Sequence, residues 1–158
     1  MADLRDLFKT LGYTGAATLL NSGNVVFNAG RDSAIRAEER IEKAIEKRFG
    51  FTSRVTVITA EELAAIVKEN SIGDAADNHS RLLVAILKTS GGCAKLMPLA
   101  ERDWKPGLLG LGTRAAYLWC PDGTLESPLA AEVGRILGDA VTTRNWATVL
   151  KLAALAAR

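Results

Sequence analysis

The sequence predicts an α+β fold made of two α+β subdomains of similar size, residues 1–75 and 76–158. Short apolar stretches typical of strands alternate with amphipathic helical stretches, but without the regular long βαβ repeat of a doubly wound parallel sheet. The polar segment 70–80, which contains Gly73 and the single histidine, is typical of a linker. We therefore place the boundary after residue 75.

The composition is that of an ordinary globular protein. The chain has 158 residues, of which 48% are hydrophobic and 24% charged, enough to bury a core. A net charge of +2 means that any site for an anion must be local. Cys93 and Cys120 lack the spacing of a zinc site or a redox dithiol, and no apolar run reaches membrane length. These observations predict a cytoplasmic protein without a metal, a cofactor or a membrane partner.

The elements of the first half follow from apolar spacing and local caps. A helix is predicted over residues 2–11. Residues 16–20 and 25–27 are strand-like and flank an Asn-Ser-Gly-Asn sequence, which predicts one interrupted strand or a tight hairpin. Asp32 or Ser33 can cap a helix that runs to about residue 48, and Gly50 ends it. The residues predicted to line its inner side are Ile35, Ile41, Ala44, Ile45 and Phe49.

A strand, a helix and the second half follow. Residues 54–58 alternate polar and β-branched side chains, which predicts a strand, and a capping box at residues 59–62 opens a helix over 61–68. The elements predicted in the second half are a strand over 81–87, a helix over 94–101, a flexible turn over 107–112, a strand over 113–119, and helices over 127–137 and 145–157.

Two strings in the chain are unusually specific. They are Ser22-Gly-Asn-Val-Val-Phe27 and Arg144-Asn-Trp-Ala-Thr-Val149. The chain thereby resembles the bacterial family catalogued as domain of unknown function 1697, in which an SGNVVF string follows a first helix and an RNWNTV string begins the last one. The resemblance spans nearly the whole chain. It implies an α+β fold of two similar-sized subdomains and brings no established activity, cofactor or catalytic residue.

The chain departs from the family pattern in two places. Family members begin with a strand of the type ALLRGINVGG, whereas this chain starts at Met1, at the beginning of the first predicted helix, so the resemblance implies that this strand is lacking. An unpaired sheet edge could then recruit a second copy as a homodimer. In addition, Pro128 stands where the family's Gly-x-x-x-Ser-Lys-Leu segment has its lysine, so an anion contact made by that lysine would be lost.

The start of the last predicted helix is the best candidate for a binding site. Free N–H groups and the positive end of the helix dipole attract anions. Thr142, Thr143, Arg144 and Asn145 would add donors, and a base could stack on Trp146. An anionic small molecule, a nucleotide or a nucleic acid would suit this group. The alternative is structural: Thr143 or Asn145 caps the helix and Trp146 anchors it in the core.

The turn at Ser22, Gly23 and Asn24 is the second candidate. Its glycine permits close approach of a ligand to backbone amides, although the same residues suit a bulge in which Asn24 bonds its own backbone. If the turn and the last helix face one cleft between the halves, Ser22, Asn24, Arg144 and Asn145 would converge there.

No residue carries a catalytic signature. His79 lies in the polar linker, where a solvated loop residue is the simplest interpretation, and Cys120 has no basic partner in the sequence. The leading hypothesis is a binding protein for an anionic or nucleotide-like ligand, or nucleic acid, near Arg144. The alternatives are a small enzyme that acts on a phosphorylated or nucleotide-like substrate in the same cleft, and a protein-interaction module.

Overall fold

The fold is built from both helices and strands, and the computed structural model describes all of residues 1–158. The helices are α1 (Ala2–Thr10), α2 (Ala34–Phe49), α3 (Ala60–Lys68), α4 (Met97–Ala100), α5 (Pro128–Leu137) and α6 (Trp146–Ala156). The strands are β1 (Thr14–Leu19), β2 (Asn24–Asn28), β3 (Leu82–Leu87), β4 (Leu108–Leu111), β5 (Ala115–Trp119) and β6 (Val141–Asn145). The predicted α+β class is confirmed.

The chain divides into two units with a boundary near residue 60. The first unit comprises Met1–Ala60 with Ala154–Arg158, and the second comprises Glu61–Ala153. The predicted boundary lay after residue 75. Helix α3 is grouped with the second unit because the Glu62 carboxylate lies 2.5 Å from Nη1 of Arg114, and the Tyr117 hydroxyl donates to the Ile66 carbonyl.

In the first unit, β1 and β2 form an antiparallel hairpin, with Leu19 opposite Asn24. Of the two forms predicted for this segment, an interrupted strand and a tight hairpin, the structure has the hairpin. The core beside the hairpin contains a cluster of aromatic rings, with the Phe8 and Phe27 centroids 4.8 Å apart in an edge-to-face arrangement. Edge-to-face pairs stabilise a core beyond the apolar area they bury. The hairpin thus gains from the core the support that an isolated pair of strands lacks in water.

Helix α2 begins and ends as its caps predict. The Ser33 hydroxyl accepts the Arg36 N–H at 3.2 Å, and Gly50 adopts a left-handed conformation (φ +75°) with its N–H bonded to the Glu46 carbonyl. The predicted inner side is partly wrong, because Ile35 and Phe49 are exposed. At 16 residues α2 is the longest helix, and no helix combines the length and apolarity needed to span a bilayer.

The predicted strand over residues 54–58 is wrong, because this segment joins neither sheet. The backbone N–H groups of Val55 and Val57 instead donate to the carboxylates of Glu42 and Glu38, each at 2.8 Å. Four residues along a helix advance about 6 Å, and two residues of an extended chain advance about 6.6 Å, so the two repeats nearly match. Carboxylates one turn apart can therefore bind alternate backbone N–H groups in place of a strand.

A network around Asp32 joins α1, α2 and the loop after β2. One carboxylate oxygen of Asp32 accepts the Tyr13 hydroxyl at 2.8 Å and Nη1 of Arg40 at 2.5 Å. Nη2 of Arg40 donates to the Leu11 carbonyl at 2.8 Å, just beyond the end of α1. The hydrogen bonds from Arg40 and Tyr13 lower the pKa of Asp32. The charged form of Asp32 therefore stabilises the first unit.

In the second unit, β3 is one of the two inner strands of a four-stranded antiparallel sheet with the order β4-β5-β3-β6. Ala85 and Leu87 of β3 belong to a core that also includes residues of β5 and of α5. Because side chains alternate along a strand, Val84 lies on the opposite face, where Tyr117 is its direct partner. Both faces of β3 are buried, which accounts for its nearly continuous apolar sequence.

Two strands of this sheet were not predicted. Residues 107–112, interpreted as a flexible turn, contain β4, and the polar segment that precedes α6 is β6. The glycines near β4 permit close packing. A Cβ added to Gly107 would lie 2.9 Å from the Trp119 carbonyl oxygen and 3.0 Å from that of Trp104. Gly107 therefore allows the chain to approach β5 closely at this point.

We predict that Asp32→Asn destabilises the protein at neutral pH and that the loss fades in acid. A lowered folded-state pKa adds stability above the unfolded pKa, about 3.9, and that contribution is lost as pH falls through the folded value. Urea unfolding followed by circular dichroism across this range measures the difference. Asp122→Asn, at an exposed turn, is the control. A destabilisation by Asp32→Asn that does not vary with pH would contradict the assignment.

We also predict that two glycine substitutions have opposite effects. Gly107→Ala should destabilise the protein by about 1–3 kcal/mol, because its Cβ would meet backbone atoms that cannot move away easily. Gly134→Ala, at an exposed position of α5 with open space around the added Cβ, should stabilise it by about 0.5–1 kcal/mol. Thermal unfolding tests both. Equal effects would show that the close approach of Gly107 is unimportant.

Candidate anion-binding site

Strand β6, and not the helix start, holds Arg144. The residues Thr142 to Arg144 pair with β3, with Arg144 opposite Val84 and Thr142 opposite Ile86. This corrects the prediction that Arg144 lies at a helix N-terminus. The strand was missed because its sequence is polar and has no alternating apolar pattern, and only the long-range pairing with β3 makes it a strand. It lies at one edge of the sheet.

Arg144 shares a row of side chains with two buried residues. Directly opposite residues of an antiparallel ladder point to the same face of the sheet. Since Val84 pairs with both Arg144 and Tyr117, the three side chains form one row across β6, β3 and β5. Val84 and Tyr117 are fully buried, whereas Arg144 is partly buried. A cation thus occupies the edge position of an otherwise apolar row.

Burial affects the charge of Arg144. Its Nη1 donates to the Thr143 carbonyl at 2.8 Å, and desolvation lowers the pKa of the guanidinium. Arginine nevertheless remains charged at neutral pH. A charge in a partly desolvated position interacts more strongly with an opposite charge than it would in water. The guanidinium is therefore suited to hold a carboxylate or a phosphate.

Helix α6 starts directly after β6. Its first residues have the structural roles named as the alternative to a binding site, which are capping of the helix and packing in the core. The Asn145 side chain caps the helix, because its Oδ1 accepts the Thr148 N–H at 2.9 Å. Trp146 is only 8% exposed, and its ring meets the Tyr117 ring edge-on at 6.5 Å. The indole is therefore part of the core and offers little ring surface to a base. The N–H groups of residues 146 and 147 have no acceptor within the helix.

The turn between β1 and β2 is held together by its own side chains. The Asn24 amide donates to the Leu19 carbonyl at 3.1 Å and to the Ser22 hydroxyl at 2.8 Å, and Asn24 is buried. Gly23 has φ +79°, which explains the glycine. The turn belongs to the first unit, and the residues Thr143 to Trp146 belong to the second. Convergence of the two groups in one cleft remains a prediction.

The other titratable candidates have environments that suit structural roles. Burial raises the pKa of the Cys120 thiol, and its Sγ lies 3.7 Å from the Leu118 carbonyl. Burial, together with the nearby Glu69 carboxylate, also raises the pKa of Cys93. A raised pKa disfavours the thiolate, which is the nucleophilic form of cysteine. His79 is exposed in a loop, and no cluster of three or more acidic, histidine or cysteine side chains could hold a metal.

The second unit contains a cleft that was not predicted from the sequence. It has a volume of about 600 Å³ and lies between the polar segment before β3 and the turn after β5. The Arg81 guanidinium in its wall donates to the Pro121 carbonyl, and the Asn78 side chain accepts the Ser80 N–H at 3.0 Å. The cleft forms between segments that are distant in the chain, so no local motif marks it.

The fold is similar to that of a solved bacterial protein. The structure titled "The structure of conserved bacterial protein SP0830 from Streptococcus pneumoniae" superimposes with a TM-score of 0.79 at 17% identity, covering 100% of this chain and 89% of that one. At this identity the similarity establishes the fold alone. Among curated protein sequences, none matches the chain. The family described as "Protein of unknown function (DUF1697)" matches residues 1–117, which is most of the chain. The suspected family is thus confirmed, and the chain belongs to the DUF1697 family.

Proposed function

We propose that the protein binds an anionic, phosphorylated ligand at the junction of β6 and α6, with Arg144 as the main cationic contact. The observation that carries this proposal is the position of Arg144, partly buried at the edge of an otherwise apolar row. Placing a charge there costs desolvation free energy that an apolar residue would avoid. A bound anion would add a charge-assisted interaction to the hydrogen bond that the guanidinium already donates to the Thr143 carbonyl.

The surrounding groups support a phosphate as the anion. Thr142 lies on the same face of β6 as Arg144, because the two residues are separated by one position. A planar guanidinium can donate two parallel hydrogen bonds to a phosphate, and hydroxyls and helix N-terminal amides add further donors. Since Trp146 is buried, recognition of the phosphate, and not stacking of a base on this ring, is the basis of the proposal.

The location in the cell forms part of the same proposal. Cys93 and Cys120 are both free thiols, and neither is paired in a disulfide. Free thiols are typical of reducing compartments. We therefore place the protein in the cytoplasm, where phosphorylated metabolites and nucleotides are abundant.

The test is a thermal-shift panel of inorganic phosphate, ribose 5-phosphate, adenosine monophosphate and adenosine triphosphate. A ligand present at about 100 times its dissociation constant stabilises by about 2.7 kcal/mol, which raises the melting temperature by roughly 5–10 °C in a protein of this size. We expect at least ribose 5-phosphate, which carries a phosphate but no base, to stabilise the wild type, and Arg144→Ala to abolish that shift.

Arg135→Ala is the matched control for this experiment. Arg135 is an exposed arginine of α5 that pairs with Glu132 at 2.8 Å, so its loss removes the same charge from the second unit at a different position. Binding should survive this substitution. Equal shifts in Arg144→Ala and the wild type, or no shift with any of the four compounds, would refute the proposed site.

A second candidate function is self-association through the sheet of the first unit. This sheet has only the two strands β1 and β2, so each strand has a hydrogen-bonded neighbour on one side only. Exposed strand edges can pair with another chain. We expect a concentration-dependent dimer in sedimentation-velocity runs between about 1 and 100 μM, a range that detects an association free energy of about −8 kcal/mol. A single monomeric species at every concentration would exclude this candidate.

A further inference from the structure

Two phenylalanine rings lie exposed at the end of α2. Phe49 is 38% exposed and Phe51 is 57% exposed. Their rings stack with centroids 6.0 Å apart and an angle of 23° between the planes. Folding normally buries aromatic side chains of this size, because each removes a large apolar area from water. An exposed stacked pair therefore points to a functional role.

The turn at Gly50 positions the pair. Helix α2 ends at Phe49, and Gly50 follows in the left-handed conformation with φ +75°. This conformation reverses the chain direction between the two phenylalanines, which places their rings together. A Cβ added to Gly50 would meet no atom within 4 Å, so the turn itself is open to solvent. The core side of α2 is formed by other residues, including Ile41 and Ile45.

Exposed cations flank the two rings, with Glu46 just before them in the chain. Residues 47–54 read Lys-Arg-Phe-Gly-Phe-Thr-Ser-Arg and contain three cations and no anion. We call residues 47–54 the aromatic-basic segment. Lys47, Arg48 and Arg54 are all exposed. The Arg48 guanidinium lies 5.6 Å from the Phe49 ring centroid, and its contact with the Asp3 carboxylate is long, at 3.8 Å. The segment thus combines exposed aromatic faces with exposed cations.

We propose that the aromatic-basic segment binds single-stranded nucleic acid. Every base has a π face that can stack on an exposed aromatic ring, and nearby Lys and Arg side chains neutralise the phosphates. A guanidinium beside the ring adds a cation-π contribution. The segment belongs to the first unit, whereas Arg144 belongs to the second. Binding at the segment does not depend on the site proposed at Arg144.

An anionic membrane surface would also attract these cations, but the geometry of α2 disfavours a membrane as the partner. Helices that lie on a membrane present an apolar face along their length to the acyl chains. The apolar face of α2 is already buried, with Ala37, Ile41 and Ile45 in the core of the first unit. The exposed large apolar side chains of α2 are Ile35 in its first turn and Phe49 at its end, and Phe51 follows just beyond the helix. Two neighbouring rings are enough for bases to stack on, whereas membrane insertion needs a longer apolar surface.

The test is fluorescence anisotropy with a labelled oligothymidylate of about 12 nucleotides at about 50 mM salt, where phosphate contacts are strong. We expect the wild type to bind. Phe51→Ala and Phe51→Leu should weaken binding roughly 5- to 150-fold, because both remove the π face. Phe51→Tyr, which keeps the ring, should bind like the wild type. Arg54→Gln should reduce the slope of log affinity against log salt by about 0.7.

Two control variants show whether binding is specific to the aromatic-basic segment. Leu125→Ala removes a fully exposed apolar side chain elsewhere and should not change binding. Arg135→Ala, which removes an exposed cation of the second unit, should also leave oligonucleotide affinity unchanged. Phe51→Ala should leave the thermal shift by ribose 5-phosphate unchanged, so the two proposals can fail independently. Circular dichroism confirms that each variant is folded.

Four outcomes would overturn the proposal. The first is a wild-type protein that does not bind the oligonucleotide, and the second is a Phe51→Ala variant that binds it as tightly as the wild type does. The third is full affinity in Phe51→Leu, which would mean that apolar contact and not stacking is involved. The fourth is binding to phosphatidylserine-containing vesicles, sensitive to Phe51→Ala, in the absence of oligonucleotide binding.

Discussion

The antiparallel ladder around β3 is the interaction on which the second unit and its candidate site depend. β3 pairs with β5 on one side and with β6 on the other, so its backbone groups are satisfied while both of its faces are buried. The pairing also gives β6 its register. A shift of one residue would move Arg144 to the opposite face and bring Thr143 or Asn145 into the row with Val84 and Tyr117.

The same requirement for backbone hydrogen bonds is met differently in the first unit. Residues 54–58 pack two valines against the core, but no strand lies beside them in a sheet. Glu38 and Glu42 supply acceptors from one side of α2, which is why a glutamate is buried there. Together with the Asp32 network, these contacts show that the first unit relies on charged side chains to position its segments.

The features that could be predicted from the sequence are those set by interactions between residues close together in the chain. The caps Ser33 and Gly50 lie where α2 begins and ends, and the hairpin follows from the Asn-Ser-Gly-Asn turn. Strand β6 was missed because it forms through pairing with β3, far away in the chain. Strand β4 pairs with the neighbouring β5 and was missed because its glycines indicated a turn. Residues 54–58 look like a strand but bind carboxylates. For the candidate site, the sequence identified Arg144 and the capping role open to Asn145, but it could not show that Trp146 is buried on Tyr117. Nor could it show that Phe49 faces solvent, since helical spacing placed it on the inner side.

The proposed function requires a phosphate to bind where β6 meets α6. An NMR titration of the ¹⁵N-labelled protein with ribose 5-phosphate is the sharpest test, because this probe carries a phosphate but no base. We expect saturable shifts of the backbone amide signals of Trp146 and Ala147 and of the Arg144 side-chain Nε signal, with little change elsewhere. Unchanged signals at these three positions up to millimolar ligand, with or without shifts in other parts of the protein, would contradict the proposal.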